Sequence, residues 1–203
     1  MTNRLLRCPS TIYIPNSTYK HGKLPIKIVL DVVTEKEESE LIQFASQKLK
    51  KFKFDSNHFD NVITDYRECM STTIPHQNKI MSIVSQLNEN WMPFHILELS
   101  QKGFINYHVD HYSGENICGL SLVGDCVMHL QRSSLNSQLP KDIYLFLPQR
   151  SLYMYSGYIR HDYKHAILNK YDIELPPFFK VKNSSRLSIL MRNPENLENP
   201  EKE

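Results

Sequence analysis

The chain has 203 residues, of which 40% are hydrophobic and 23% are charged, so it can bury the core of about one domain and is not a small disulfide-stapled scaffold. Its 24 basic and 22 acidic residues give a formal charge of +2, far from the strongly basic balance that by itself indicates nucleic-acid binding. No apolar stretch approaches the roughly 18 residues that a membrane-spanning helix requires, so we expect no membrane partner.

The first thirty residues contain no Asp or Glu, whereas Arg4, Arg7 and three lysines lie there among Ser and Thr residues. An acid-poor, Arg-bearing and hydroxyl-bearing segment is typical of an organelle transit peptide. The alternative is an ordinary basic first strand, since Thr11 to Ile14 has β character. We therefore expect residues 1–25 to form an N-terminal arm that can act in targeting.

Two helices are predicted in the next part of the chain. Thr34-Glu35-Lys36-Glu37 is a capping box, which predicts a helix start, and apolar residues then recur at helical spacing from Leu41 to Phe52 while Glu38 is left for solvent. A second amphipathic segment, Ile80 to Leu87, ends before Pro93. Both helices should pack on one sheet.

After Pro93 the pattern changes to short runs bounded by turn formers, which predicts strands. The predicted strands are Phe94 to Leu99, Phe104 to Asp110, Gly119 to Leu122, Val127 to Gln131, Ile143 to Leu147, Ser151 to Tyr155, Tyr163 to Leu168 and Arg186 to Arg192. Eight strands after two helices indicate a mainly β fold with flanking α, built from two sheets with the helices on one outer face. We expect this domain to span residues 26–192 and residues 193–203 to be a disordered tail.

His108 and Asp110 are candidate metal ligands. They lie in one apolar run, and because side chains alternate along a strand, the imidazole and the carboxylate project from the same face. A third ligand from a distant strand would complete a set of two histidines and one carboxylate, which holds Fe(II) and leaves coordination positions open. Oxygen chemistry requires open positions of this kind.

The spacing alone is not specific, because a second His-x-Asp occurs at His58 and Asp60. That pair lies in a polar stretch typical of a solvated loop, so we do not expect it to bind metal. For the third ligand, His161 and His165 share strand parity, and either could face inward. We interpret His129 as a core or strand histidine whose hydrogen bonds are satisfied within the protein.

The last predicted strand has a cationic inner face, since Arg186, Ser188 and Arg192 alternate with apolar residues. Two arginines that face inward are costly unless an anion meets them, and a guanidinium can grip a carboxylate with two hydrogen bonds. A dicarboxylate cosubstrate would satisfy both. The alternative is pairing within the protein, for instance of Arg192 with a ligand aspartate, or exposure at the strand end.

Five sequence elements follow one another between residues 94 and 192: His108-x-Asp110, Gly119-Leu120-Ser121-Leu122, Ser151-Leu152-Tyr153, Arg160-x-x-Tyr163-x-His165-x-Ile167 and Arg186-x-Ser188-x-x-x-Arg192. In this order they resemble the AlkB-type Fe(II)- and 2-oxoglutarate-dependent dioxygenases. The phrases around His108 and Gly119 look most like the small mitochondrial branch of that family, AlkB homologue seven. This resemblance would explain the acid-poor N-terminus and implies a location in the mitochondrial matrix.

The resemblance implies a double-stranded β-helix (jelly roll) and a ligand set. It implies that His108, Asp110 and His165 hold Fe(II), and it thereby selects His165 over His161. His111, on the opposite face from His108, is then not a ligand.

The resemblance also implies that 2-oxoglutarate and dioxygen are the cosubstrates. Arg186 would pair with the far carboxylate of 2-oxoglutarate, and Tyr153 would donate its hydroxyl. Leu187, Ser188 and Arg192 would lie near the cosubstrate, with Arg192 also near the ligand carboxylate.

Two features bear on the substrate. Repair members of the family carry an acidic residue two positions after the ligand aspartate to read a flipped base, whereas this chain has Tyr112 there. We expect Asn106 and Tyr112 to face the substrate. The segment from Phe52 to Arg67 offers a basic, aromatic lid, yet its acidic residues favour a solvated loop that closes over the first helix.

Three functions follow from these residues. Our prediction is a mitochondrial dioxygenase that hydroxylates a protein or other non-duplex substrate, with a role in mitochondrial metabolism or alkylation-induced cell death. The alternatives are an RNA or DNA N-demethylase of the same chemistry and a catalytically silent 2-oxoglutarate-binding module, against which the intact ligand and arginine positions argue. We expect a monomer whose macromolecular partner is a protein, with RNA as the alternative.

Overall fold

The computed structural model describes the backbone of Thr11–Ile14 and residues 24–57, 61–85, 90–110, 114–133, 139–168 and 185–194. Several predictions lie outside these residues: the remainder of the N-terminal arm to residue 23, the tail from residue 195, and the positions of His58, Asp60, His111 and Tyr112. Within the described ranges, every helix is too short or too polar to cross a membrane.

Three helices occur in the described ranges: α1 (Glu35–Leu49), α2 (Gln77–Val84) and α3 (Gly157–Asp162). The capping box that we predicted is confirmed: Glu37 N–H donates to Thr34 Oγ1 at 3.2 Å, and Thr34 N–H donates to Glu37 Oε2 at 2.7 Å. α2 ends before the predicted Leu87. The sequence analysis did not predict α3, because six residues are too few for a periodic apolar pattern.

Eleven strands complete the described fold: β1 (Thr11–Ile14), β2 (Ile26–Val29), β3 (Asp55–Asn57), β4 (Ile63–Ser71), β5 (Phe94–His108), β6 (Ile117–Leu122), β7 (Cys126–Arg132), β8 (Asp142–Leu147), β9 (Leu152–Tyr155), β10 (Tyr163–Ile167) and β11 (Arg186–Arg192). Each predicted run contains a strand, and the first two runs are joined in the long β5. β2, β3 and β4 were not predicted.

β5 joins the two halves of the sheet. The strand order is β1-β8-β7-β10-β5-β11-β6-β9-β2, and β4, with β3 beside it, also pairs with β5. The first part of β5 pairs with β11 and its last part pairs with β10, so the sheet folds over at this strand. All pairs are antiparallel except β1 with β8. The predicted jelly roll is confirmed.

Two apolar layers hold this arrangement together. In the outer layer, Leu41 of α1 and Ile80 of α2 are fully buried with Leu120 of β6 and Ile189 of β11. Burial of each such side chain stabilises the fold by roughly 1.5–3 kcal/mol. The inner layer lies between the two sheet halves and includes Leu130. Both helices therefore pack on one sheet, as predicted.

Two predictions about polar positions are wrong. The segment from Phe52 to Arg67 was predicted as one solvated loop, but Asp55–Asn57 forms the exposed strand β3 beside β4, and β4 pairs with β5 from Ile63 onward. Glu38 is only 4% exposed: it accepts a hydrogen bond from the backbone N–H of Val123 at 3.1 Å and another from a glutamine side chain. Hydrogen bonds offset the cost of burying this carboxylate, and their donors are distant in sequence.

Candidate metal centre

The register of β5 with β10 brings two predicted ligands together. His108 pairs directly with His165, and the centroids of their rings are 4.1 Å apart. Asp110 follows the end of β5, with its Oδ1 3.3 Å from His108 Nε2. One ligand atom from each of these three residues lies within 4.8 Å of the other two. A single metal ion can bridge donors at this spacing.

Burial and charge keep two of these groups in metal-binding forms. Burial alone would raise the pKa of Asp110, but the hydrogen bond from His108 and the charge of Arg192 hold that pKa well below its usual range. Burial lowers the pKa of His165 to about 3, against the opposing effect of Asp110. Near neutral pH, Asp110 is therefore a carboxylate and His165 a neutral imidazole, which are the forms that donate to a metal.

A backbone carbonyl orients the third group. His108 Nδ1 donates to the carbonyl oxygen of Asn106 at 2.9 Å. Since this bond keeps a proton on Nδ1, Nε2 is the ring nitrogen that faces Asp110 and that would bind a metal ion in place of its hydrogen bond to Asp110. The side chain of Asn106, which we expected to face the substrate, is exposed and donates to the carbonyl of Asn61 at 2.9 Å. Asn106 thus acts on the site through its backbone.

Arg186 is a buried cation in the same cavity. It is 6% exposed, and its Nη1 donates to Ser188 Oγ at 3.1 Å. Its Nε and Nη2 have no hydrogen-bond partner among the described residues. Because buried N–H groups without an acceptor are costly, this guanidinium is suited to bind an anion with two parallel hydrogen bonds.

Tyr153 lines the cavity beside Arg186. Burial raises the pKa of Tyr153 to about 12, against the effect of the two arginines, so its hydroxyl stays protonated and can donate. The pairing of β6 with β9 places Gly119 opposite Tyr153, and a Cβ atom at position 119 would overlap the tyrosine ring. The packing of Tyr153 therefore requires the glycine of the Gly119-Leu120-Ser121-Leu122 phrase.

Two other arginines hold Asp110. Arg192 Nε donates to Asp110 Oδ2 at 3.2 Å, so this arginine adopts the internal pairing that we considered as an alternative. Arg160 Nη2 donates to the backbone carbonyl of Asp110. The sequence analysis assigned no role to Arg160, although its place in the Arg160-x-x-Tyr163 element was a signal.

One predicted cosubstrate contact is misplaced. Leu187 packs in the outer layer under the helices, because side chains alternate along β11, so its side chain does not reach the cavity. The prediction that Leu187 contacts the cosubstrate is therefore wrong. The sequence analysis missed Tyr155 and His95, which do line the cavity. Their strand parity with Tyr153 and Leu97 could have identified them.

Other histidines lie apart from the cavity. His161 belongs to α3 rather than to a strand, so the strand parity that we assumed for it is wrong, and its Nε2 lies 3.2 Å from Glu115 Oε2. His129 is hydrogen-bonded at both ring nitrogens, to the hydroxyl of Tyr107 at 2.5 Å and to Oδ1 of Asp142 at 3.0 Å. The interpretation of His129 as a satisfied strand histidine is confirmed.

Two aromatic residues before β5, Phe52 and Phe54, contact cationic side chains of the same chain. The guanidinium of Arg67 lies 4.7 Å from the ring centroid of Phe54, and its Nε donates to Glu98 at 2.7 Å. Lys51 lies over the ring of Phe52. Both rings remain partly exposed, by 42% for Phe54 and 38% for Phe52.

Two curated proteins are similar in sequence to the chain. Both are named "Alpha-ketoglutarate-dependent dioxygenase alkB homolog 7, mitochondrial". The protein of Mus musculus is 27% identical over 173 residues, which cover 79% of this chain and 75% of the mouse protein. The protein of Bos taurus is 26% identical over 169 residues, which cover 77% and 73%. No protein-family model matches the chain.

Solved structures share the fold at 9% sequence identity. "The structure of OsALKBH1" has a TM-score of 0.60 and covers 84% of this chain and 97% of that one. A prolyl hydroxylase from Trichoplax adhaerens in complex with a peptide fragment has a TM-score of 0.57, with 86% and 85% covered. A Pseudomonas putida prolyl-4-hydroxylase also has a TM-score of 0.57, with 86% and 95% covered.

Proposed function

We propose that this chain acts in the mitochondrial matrix. There it would hydroxylate a protein side chain or another substrate outside a nucleic-acid duplex. The chain belongs to the AlkB family of 2-oxoglutarate-dependent dioxygenases. The names of the mouse and cattle relatives support a mitochondrial location, as does the acid-poor N-terminus. The observation that carries the reaction is the cluster of His108, Asp110 and His165 beside a buried arginine with two unpaired N–H groups.

Fe(II) fits this cluster chemically. Two imidazole nitrogens and one carboxylate are the ligand set of non-haem Fe(II) oxygenases, in which other coordination positions stay open. His108, Asp110 and His165 would hold the ion. When bound, iron supplies the activation of dioxygen that couples decarboxylation of 2-oxoglutarate, to succinate and carbon dioxide, with hydroxylation of the substrate.

2-Oxoglutarate fits the part of the cavity around Arg186. Nε and Nη2 lie on one edge of the guanidinium plane and form a fork that matches the two oxygens of a carboxylate. Ser188 holds Nη1, which leaves that fork for the far carboxylate of the keto acid. Tyr153 would donate its hydroxyl to the same carboxylate. An anion bound there would remove the cost of the unpaired N–H groups.

The walls of the cavity keep water away from the reacting groups. Most of the remaining lining side chains are apolar: Ile63, Leu97, Ile105, Ile117, Met128, Ile167 and Leu190. An apolar wall strengthens the electrostatic contacts inside the site and limits side reactions with solvent. The chain thus contributes binding, orientation and exclusion of water.

Two features of the chain support a protein or other non-duplex substrate. Arg67, which could otherwise hold a phosphate, pairs with Glu98 and stacks on Phe54. Tyr112 stands where repair members have an acidic residue. An N-methylated RNA or DNA is the second candidate, since the exposed lysines within residues 48–53 lie close to exposed aromatic rings.

The first test measures the reaction that both substrates share. Purified full-length protein with Fe(II), ascorbate and 2-oxoglutarate should produce succinate, and His108→Ala and Asp110→Ala should abolish this production. His161→Ala is the matched control, because His161 is an exposed histidine outside the cavity. Metal binding without turnover on any supplied substrate would contradict the proposal and favour a silent binding module.

The second test separates the two substrate classes by their products. Mitochondrial matrix proteins incubated with the active enzyme should gain the mass of one oxygen atom. A hydroxylated N-methyl group decomposes to formaldehyde, so formaldehyde release from methylated RNA, without any mass gain on protein, would replace the first candidate with the second. Salt-dependent RNA binding would accompany that result.

A further inference from the structure

A line of polar contacts runs from Asp110 across three strands. Arg192 Nε, on β11, donates to Asp110 Oδ2 at 3.2 Å, and Arg192 Nη1 lies 3.0 Å from Nδ1 of His95, on β5. The other ring nitrogen of His95, Nε2, lies 2.7 Å from Oε2 of Glu68, on β4. Three side chains from different strands therefore connect in series behind the aspartate.

The hydrogen-bonding capacities of these groups fix the state of His95. A guanidinium has donors and no acceptor, so Nδ1 of His95 must accept from Arg192 and cannot carry a proton. Nε2 then carries the ring proton and donates it to the carboxylate of Glu68. Glu68 therefore selects the tautomer of His95 that can accept from Arg192.

The orientation of Arg192 depends on this contact. Its side chain is 20% exposed at the end of β11, where a long cationic side chain can turn its head toward water. With Nη1 held by His95, the guanidinium plane is fixed and Nε faces Asp110. Without that acceptor, Asp110 would lose the donor that orients its carboxylate.

We propose that His95 and Glu68 are positioning residues for the metal centre. Glu68 fixes the tautomer of His95, His95 orients Arg192, and Arg192 holds the carboxylate of Asp110 in its metal-binding geometry. The inference rests on the proposed function, because it assigns both residues to the site that would hold Fe(II). Groups that orient metal ligands typically contribute about 10- to 100-fold to metal affinity, and we expect the lower end for His95 because it acts through Arg192.

The chain offers a matched control. His76 Nε2 lies 2.7 Å from Oε2 of Glu40, the same distance between the same atoms as in the pair of His95 and Glu68. His76 precedes α2 and Glu40 belongs to α1, so this second pair joins the two helices and has no contact with Arg192. Substitutions there report the effect of losing such a pair in itself.

The experiment measures the affinity of full-length protein for Mn(II), with succinate production of the wild type in parallel. His95→Phe keeps a planar ring but cannot accept from Arg192, and we expect about a tenfold loss of Mn(II) affinity. His95→Asn returns an acceptor near the position of Nδ1, so Mn(II) affinity should recover to within about twofold of the wild type.

The glutamates complete the design. Glu68→Ala should lower Mn(II) affinity about threefold, whereas Glu40→Ala should leave it unchanged. Equal affinity in His95→Phe and wild type, no recovery in His95→Asn, or equal losses in the two glutamate variants would each overturn the inference. If His95→Phe did not fold, the Mn(II) affinities of Glu68→Ala and Glu40→Ala would test the inference: a loss in Glu68→Ala alone would support it, and equal affinities would overturn it.

The two proposals fail differently. Wild-type protein that binds no Mn(II) and forms no succinate would overturn the proposed function, and the inference with it. Wild-type protein that binds Mn(II) and forms succinate, combined with variants that do not differ from it, would overturn the inference alone.

Discussion

Histidines lie on both faces of the sheet, in two clusters. The clusters meet at neighbouring residues of β10, but they differ in whether their buried polar groups have hydrogen-bond partners. On the inner face, His108 and His165 lie in a cavity with Arg186, whose Nε and Nη2 have no partner among the described residues. On the outer face, His129 lies opposite the residue that follows His165, and both of its ring nitrogens are hydrogen-bonded.

The difference distinguishes a structural cluster from one that is suited to bind a ligand. The outer cluster completes itself: Tyr107, His129 and Asp142 form a continuous chain, and the ring of Tyr144 stacks on His129 at 4.1 Å. The inner cluster leaves buried donors without acceptors, which costs roughly 1–3 kcal/mol per group in the ligand-free protein. Incomplete pairing of buried groups therefore marks the site that a metal and an anion would complete.

Removing the charge of the ligand aspartate should have the largest effect. Because loss of an orienting group alone costs about 10- to 100-fold in metal affinity, Asp110→Asn should lower Mn(II) affinity by more than about 100-fold. Titration of the ion against the purified variant measures this. Mn(II) affinity within tenfold of the wild type would mean that the inner cluster is not the metal site.

Replacing the unpaired guanidinium should separate stability from binding. Arg186→Met removes the buried charge and keeps much of the side-chain volume, so the ligand-free protein should become more stable by about 1 kcal/mol. The same variant should bind 2-oxoglutarate about 100-fold more weakly, as expected when a bidentate charged contact is lost. Urea denaturation and a binding titration measure the two effects. A strongly destabilised variant would show that Arg186 is structural.

The outer cluster should respond in the opposite way. His129→Ala leaves the hydroxyl of Tyr107 and the carboxylate of Asp142 without their partner, so it should destabilise the protein by about 2 kcal/mol. Mn(II) affinity should stay at the wild-type value. The exposed His161→Ala variant provides the control for urea denaturation, with an expected change within about 0.5 kcal/mol. A loss of Mn(II) affinity without a loss of stability would reverse the assignment of the two faces.

The surface pair of Glu37 and Lys79 gives the smallest expected effect on stability. The hydrogen bond from Lys79 and the capping contacts of Thr34 hold the pKa of Glu37 at about 2, below its usual 4.5. The ionised form therefore stabilises α1 fully above pH 4.5, and this contribution is lost as the pH falls toward 2. Glu37→Gln should lower the melting temperature slightly at pH 7 and not at pH 2. A difference in melting temperature between wild type and Glu37→Gln that grew as the pH was lowered would contradict this explanation.

Within a single strand, the sequence pattern predicts which side chains belong to the inner cluster. Alternation along β5 and β11 places His108 on one face and separates Arg186 and Ser188 from Leu187. The capping box likewise fixes the start of α1 at Thr34, because its two hydrogen bonds join residues three positions apart. Interactions within one element can be predicted from the residue types and their spacing.

Contacts between distant segments could not be predicted in this way. Residue types alone left His161 and His165 as equal candidates, and the family resemblance made the choice; the structure separates them because a short helix ends between them. The contact of His95 with Arg192 joins positions 97 apart, and the burial of Glu38 depends on donors more than 80 positions away. Tertiary packing determines these contacts: strand pairing joins β5 to β11 near His95 and Arg192, and the packing of α1 against loops after β6 and β8 buries Glu38.

A crystal structure of the protein grown with Mn(II) and 2-oxoglutarate, with the ion located by anomalous scattering, would test the inner cluster at atomic level. We expect one Mn(II) ion within bonding distance of His108, Asp110 and His165, and the far carboxylate of 2-oxoglutarate on Nε and Nη2 of Arg186. An ion bound elsewhere, or a keto acid that leaves those two nitrogens unpaired, would contradict the assignment of this cavity as the active site.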